Sequence, residues 1–283
     1  MQQIVQYGLM NIFWESSLGR WSITLAMLVI VLWPTRCFAS KATTFQPTNA
    51  LSNFDGLFIS TSGLRKSNLM SLEILPYAEF IGRPLDCSID ACVALTFDDG
   101  PDPIITPQIV DTLNRYGARA TFFVVGVRVQ PSASLLLQMH VGGHEIENHS
   151  WAHPDFRRLR PVQVREQIDL TQQAVGNAGV PKPRFFRPPY EFRSDSMRHT
   201  VAMPFILWNV DVKDWAQKNS DKLAGDIIES VKPGSIVVLH DTKEITLKAL
   251  PKVLDSLHGQ YRFVTVRQLL QLPDDARGEF YGR

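Results

Sequence analysis

From Ala91 onward the chain alternates short β-branched or aromatic runs with amphipathic segments, and this alternation narrows the possible folds more than any other feature. The apolar runs lie at 92–97, 120–125, 145–148, 184–186, 205–210, 235–239 and 263–266. Helical spacing falls between them. It is clearest over 161–178, where Val164, Ile168, Thr171 and Val175 step by four, three and four along one face and Pro161 suits a first turn. Further helices are expected at 107–116, 221–231 and 247–258. No GxGxxG or Walker pattern follows any apolar run, which removes the commonest reason for an open nucleotide-binding sheet. The pattern therefore predicts an α/β fold, a closed or nearly closed (β/α) barrel with about seven parallel strands.

In such a barrel, residues that follow the strands converge on the carboxyl-end rim. Five polar clusters have this placement: Thr96-Phe97-Asp98-Asp99-Gly100-Pro101, His149-Ser150-Trp151-Ala152-His153, Arg187-Pro188-Pro189-Tyr190, Asp211-Val212-Lys213-Asp214-Trp215 and Leu239-His240-Asp241. On a helical turn, His149 and His153 would lie on one side and chelate one cation. Ser150 stands where an HExxH motif carries its glutamate, so a base must come from elsewhere. Asp98-Asp99 is the natural supplier, because adjacent carboxylates leaving a strand point to different places. The plainer reading of that pair is an Asp-Gly-Pro turn whose aspartates bond backbone amides. His240, at the end of an apolar strand, is placed to donate a proton, with Asp211, Asp214 and Asp241 as candidates to orient it and raise its pKa. Arg187 reads either as the partner of a free carboxylate or as a surface cation. Trp215 reads as the wall of a small apolar pocket or as core.

Charge excludes a class of function. With 29 Lys+Arg against 28 Asp+Glu the net charge is +1, which supplies no field for nucleic acid, and no run of like charges implies a protein partner. Residues 21–33 are apolar and uncharged, follow Arg20, and precede the small residues around Ala39. Residues 1–39 thus read as a secretory signal peptide, or as an N-terminal membrane anchor if uncleaved, although the run is shorter than the roughly 20 residues that span a bilayer. Residues 40–86 read as an irregular extension rich in Ser, Thr, Asn and Pro, 87–272 as the α/β domain and 273–283 as a tail. Such a chain is expected to be periplasmic, in the cell envelope or extracellular. In that oxidising setting Cys87 and Cys92 are expected to form a local disulfide at the entry to the first core strand, with two free thiols as the alternative.

TFDDGP, HSWAH, RPPY, DVKDW and LHD, in this order over about residues 90–270, resemble the five motifs of the polysaccharide deacetylases, the NodB-homology domain of carbohydrate esterase family four. The resemblance implies a distorted (β/α) barrel and a hydrolase that releases acetate from an N-acetylated glycan (peptidoglycan, chitin-like or poly-N-acetylglucosamine), leaving a free amino sugar. It implies Asp98 as general base, and Asp99, His149 and His153 as ligands to one divalent metal ion, usually zinc. The Tyr190 backbone amide would help to hold the oxyanion, and His240 would protonate the departing amine. Arg187 would tune Asp98, Asp214 would tune His240, and Trp215 with Val238 would enclose the acetyl methyl. Glu147 and Glu191 stand where the family often has glycine, and both bear on substrate preference. Val238 replaces the usual leucine, which predicts a slightly wider acetyl pocket and binding weaker by about 1 kcal/mol. Two other readings use the same scaffold: an esterase removing O-acetyl groups, and a glycan-binding protein without turnover.

Overall fold

The computed structural model describes residues 84–283 except Arg193, together with two short strands, β1 (Met10–Ile12) and β2 (Ile23–Leu25), which pair antiparallel. Apart from that pair, the leader or anchor expected over 1–39 and the extension up to residue 83 lie outside the described residues. The chain divides into two units, Met1–Ser67 and Asn68–Arg283, and the second carries the α/β fold. Among the described residues no helix is long and apolar enough to cross a membrane.

The strands of this unit are β3 (Cys92–Asp98), β4 (Ala120–Val124), β5 (Glu145–Asn148), β6 (Phe205–Ile206), β7 (Val210–Asp211), β8 (Ile236–His240), β9 (Arg262–Phe263) and β10 (Glu279–Phe280). The helices are α1 (Ile105–Arg115), α2 (Ala133–Val141), α3 (Pro161–Asn177), α4 (Asp195–Thr200), α5 (Ser220–Ser230), α6 (Glu244–Leu257) and α7 (Val266–Leu270). Parallel pairing runs β5-β4-β3-β8-β7, with β9 against the start of β3. Phe186 then bridges Asn148 on one side and Phe205 on the other, so the run holding β6 and β7 returns the sheet to β8. The circle is a (β/α) barrel. It is distorted because one side of it consists of two-residue ladders and a single bridge.

Local chemistry accounts for that weak side. The run at 184–186 is reduced to the bridge at Phe186 by Pro183, Pro188 and Pro189, which lack the N–H that a ladder needs. The run at 205–210 splits where the Asn209 side chain accepts the Ile236 N–H at 2.9 Å. Val266, expected in a strand, instead opens α7, because the Thr265 hydroxyl and the Gln268 side chain form a reciprocal capping box. Asp102 accepts the N–H groups of Ile104 and Ile105 and so starts α1 two residues before the expected boundary.

β3 is buried on both faces, as suits a central parallel strand. Val93, Leu95 and Phe97 face outward into a core with Ile109 and Leu113 of α1 and Leu250 and Val253 of α6. Ala94 faces the interior with Phe123, Phe185, Ile206 and Ile236. Period-two alternation then puts Thr96 and Asp98 on that same inner face, toward the rim.

Residues 273–283 are not a free tail. β10 pairs parallel with β6, Gly282 bridges Ser235 antiparallel, and the Arg283 N–H donates to the Gly234 carbonyl at 3.0 Å. The segment fills the base of the barrel between β6 and the head of β8. Cys87 and Cys92 are joined by a disulfide across a short turn leading into β3, with Cα atoms 5.5 Å apart. Deleting residues 279–283 removes several backbone hydrogen bonds and the packing of Phe280, so unfolding free energy in urea should fall by about 2–4 kcal/mol. Unchanged stability would show that these contacts contribute nothing net.

Candidate functional site

The rim is organised around Arg187, which is fully buried and spans the barrel top. Its Nη1 donates to Thr96 Oγ1 at 2.7 Å and to Asp98 Oδ1 at 2.8 Å; Nε donates to the Ile206 carbonyl and Nη2 to that of Leu207. The guanidinium lies 4.1 Å from the Phe123 ring centroid and 5.4 Å from that of Trp208. Of the two readings open for Arg187, the surface cation is therefore excluded. Asp98, itself buried, is held as the partner of this cation at the end of β3.

Asp99 points elsewhere because its backbone is left-handed, at φ 75°. Its Oδ1 lies 3.5 Å from His149 Nε2 and 3.2 Å from His153 Nε2. The two histidines do not share a helical turn as expected. They follow β5 in a loop that bends through left-handed Ser150 and His153, at φ 72° and 54°. Asn148 Oδ1 accepts the Ser150 N–H, and Ser150 Oγ accepts the His153 N–H, so local side chains hold the bend. His149 Nδ1 is engaged by the Arg187 carbonyl at 2.7 Å, which leaves Nε2 directed at Asp99.

The donor atoms of Asp99, His149 and His153 lie within 4.8 Å of one another. Two imidazoles and a carboxylate, one imidazole fixed through its second nitrogen, fit a first-row divalent ion such as zinc with positions left for water and substrate. Burial and the charge of His149 lower the His153 pKa, favouring the neutral ring that a cation needs. Burial opposes ionisation of Asp99, but the His149 hydrogen bond and the charges of His149, His153 and His240 bring its carboxyl well below the ordinary range.

Across the rim, His240 ends β8. Its Nδ1 lies 2.7 Å from Asp214 Oδ1, while its backbone N–H donates to Asp214 Oδ2 at 2.7 Å. Burial works to lower the His240 pKa, yet the Asp214 hydrogen bond and the charges of Asp214, Asp98 and Asp99 push it up to about 9. The ring is thus a cation at neutral pH. Of the three aspartates that could orient it, Asp214 does. Asp211 accepts the Lys213 N–H on the exposed rim, and Asp241 is buried against Thr106.

Asp98, Asp99, His149, His153 and His240 open into one cavity of about 470 Å³, walled also by Tyr190, Trp208, Trp215 and Val238. Tyr190 is left-handed, at φ 56°, and its ring lies edge-on to His153 at 4.7 Å. Trp215 is exposed on the cavity wall and is not core. Glu191 lines the cavity, but Glu147 is buried away from it, accepting the Arg184 and Phe185 N–H groups at 2.7 Å each. The bearing on substrate preference expected of Glu147 is thereby removed: it satisfies backbone donors beside β5. Sequence reasoning missed Trp208 and Lys243, which carry no motif, and gave no role to Thr96 of the TFDDGP run, whose hydroxyl accepts from Arg187.

A parallel barrel with a cation-paired carboxylate, a three-donor cluster and a His–Asp pair around one rim cavity has the parts of a metal-assisted hydrolase. The chain belongs to the polysaccharide deacetylase family. The family model of that description matches residues 86–203. A peptidoglycan-N-acetylglucosamine deacetylase of Bacillus cereus is 38% identical over 188 residues, 63% of this chain and 88% of the relative. The peptidoglycan-N-acetylmuramic acid deacetylase PdaC of Bacillus subtilis is 36% identical over 198 residues, covering 69% of this chain but 42% of its own length. The solved structure of PdaC superimposes with a TM-score of 0.64 at 36% identity, over 66% of this chain and 93% of that one. Several of the curated relatives are thus much longer than the region they share with this chain.

Two outcomes test the geometry. Arg187→Met leaves Asp98 buried without its cation and should destabilise the protein by about 3–5 kcal/mol in chemical denaturation, whereas a loss under about 1 kcal/mol would show the pair is not needed. His149→Ala should weaken zinc binding at least 10-fold by calorimetry while the fold, followed by circular dichroism, persists.

Proposed function

We propose that this protein is an exported, zinc-dependent polysaccharide N-deacetylase that hydrolyses the acetamide of N-acetylated sugars to acetate and a free amino sugar. The observation that carries the reading is the placement of Asp98 beside the Asp99–His149–His153 cluster with His240–Asp214 across the same cavity. A divalent ion held by Asp99, His149 and His153 supplies Lewis acidity toward the acyl oxygen and acidifies water.

The chain's own groups do the rest. Asp98, oriented by Arg187, takes the proton from the attacking water as general base. The Tyr190 N–H, presented by its left-handed backbone, donates to the oxyanion that develops on the acyl carbon. His240, kept protonated by Asp214, gives its proton to the departing nitrogen, without which an amide does not expel its amine. Trp215 and Val238 enclose the acetyl methyl. The relatives named for peptidoglycan support a cell-wall glycan as the substrate class and an envelope location, which agrees with the apolar segment at 21–33.

Acetate and new primary amines should appear together when the zinc-loaded protein meets N-acetylated glycans, and chelator should abolish both. Acetate without amine, from O-acetylated xylan only, would replace the reading with that of an esterase. Release from no glycan, with zinc bound, would favour a binding protein. Asp98→Asn should lower kcat by roughly 10²–10⁴-fold while one zinc per chain is retained. The rate should fall as pH rises through about 9, where His240 loses its proton, and Asp214→Asn should move that limb to lower pH.

A further inference from the structure

Asp214 is buried, and its carboxylate has two jobs on two oxygens. Oδ1 takes the ring N–H of His240; Oδ2 takes the His240 backbone N–H and, in addition, the hydroxyl of Thr246 at 2.6 Å. Thr246 lies in the first turn of α6, 32 residues along the chain from Asp214, and is itself buried. Where a first-turn threonine commonly bonds its own helix, this hydroxyl is spent on a carboxylate at the rim. The Lys243 carbonyl accepts the Thr246 N–H, so the side chain is fixed at its base as well as at its tip.

We propose that Thr246 is a positioning residue for the proton donor: its hydroxyl locks the plane of the Asp214 carboxylate and draws off part of the charge that would otherwise bind the His240 proton too tightly. The inference rests on the reading of His240 as the acid. The titratable and charged groups around that ring are Asp214 beside it, Asp98 and Asp99 at the end of β3, His149, His153, Glu191, Asp211 and Lys243 on the cavity wall, and buried Asp241 next in the chain, with Arg187 behind Asp98. Asp214, Asp98 and Asp99 make the histidine more basic. An acid must also let go of its proton, so a donor that tempers the nearest of these charges favours the transfer. Asp214 is closed to water, so its carboxylate depends on donors from the protein.

The test uses the zinc-loaded full chain with Thr246→Val, which keeps shape and removes the donor, and Thr246→Ser, which keeps the donor. Thr246→Val should lower kcat about 10-fold with KM and zinc stoichiometry unchanged, and should move both the alkaline limb and the His240 imidazole titration, followed by NMR, upward by about half a pH unit. Thr246→Ser should match the parent protein in all of these. A Thr246→Val protein with the parent titration and kcat would overturn the proposal, as would a Thr246→Ser protein impaired equally, because packing alone would then explain the loss. Should Thr246→Val not fold, Thr246→Ala against Thr246→Ser makes the same comparison. If the parent protein turns over no glycan, the deacetylase reading falls, and the NMR titration still decides the part played by Thr246.

Discussion

A guanidinium sealed from water at the top of a barrel is a severe constraint, and the rim of this protein is built to satisfy it. Arg187 distributes its N–H groups over Asp98, Thr96 and the carbonyls of Ile206 and Leu207, while aromatic rings cover its face. Leaving any part of that arrangement unpaired in an apolar interior would cost several kcal/mol. The same residue reaches in two directions. Its side chain fixes Asp98, and its backbone carbonyl fixes the ring of His149. Asp98 and His149 are thus held by one residue, and the spacing between them is set by covalent geometry and two short hydrogen bonds.

The opposite side of the cavity repeats the logic with the charges exchanged. There the buried anion, Asp214, is surrounded by donors, and the group it serves is a histidine at the end of a strand. Asp98 sits against a cation, whereas His240 is drawn up to about 9 by the carboxylates around it. A carboxylate and an imidazolium on one cavity at one pH are what acid–base chemistry on an amide requires.

How far this could be read from the chain follows from physics. β3 and β8 were legible because central parallel strands are buried on both faces and read as continuous apolar runs. The rim was legible because five polar clusters each follow such a run. Which of Asp98 and Asp99 turns inward came only from the family resemblance, since it depends on strand register and on a left-handed φ at Asp99 that spacing does not encode. The HxxxH spacing even suggested the wrong local structure: convergence of His149 and His153 arises from a bent loop held by Asn148 and Ser150. Thr246, distant in the chain and lacking any motif, was invisible. The bridge at Phe186 and the pairing of β10 also depend on partners far away in sequence, where short polar-flanked segments give almost no periodic signal.

The β10 strand has a consequence for the order in which the molecule assembles. Phe205 and Ile206 pair with Glu279 and Phe280, more than seventy residues further along, and Ser235 meets Gly282. A chain still being made can pair β3, β4, β5 and β8 and so place Asp98, His149 and His240, yet the seam at the base stays open. Until residues 279–283 arrive, β6 presents an unpaired edge, the kind of surface to which foreign strands add. Residues 279–283 thus act as a latch that covers the edge of β6 and joins it to the head of β8.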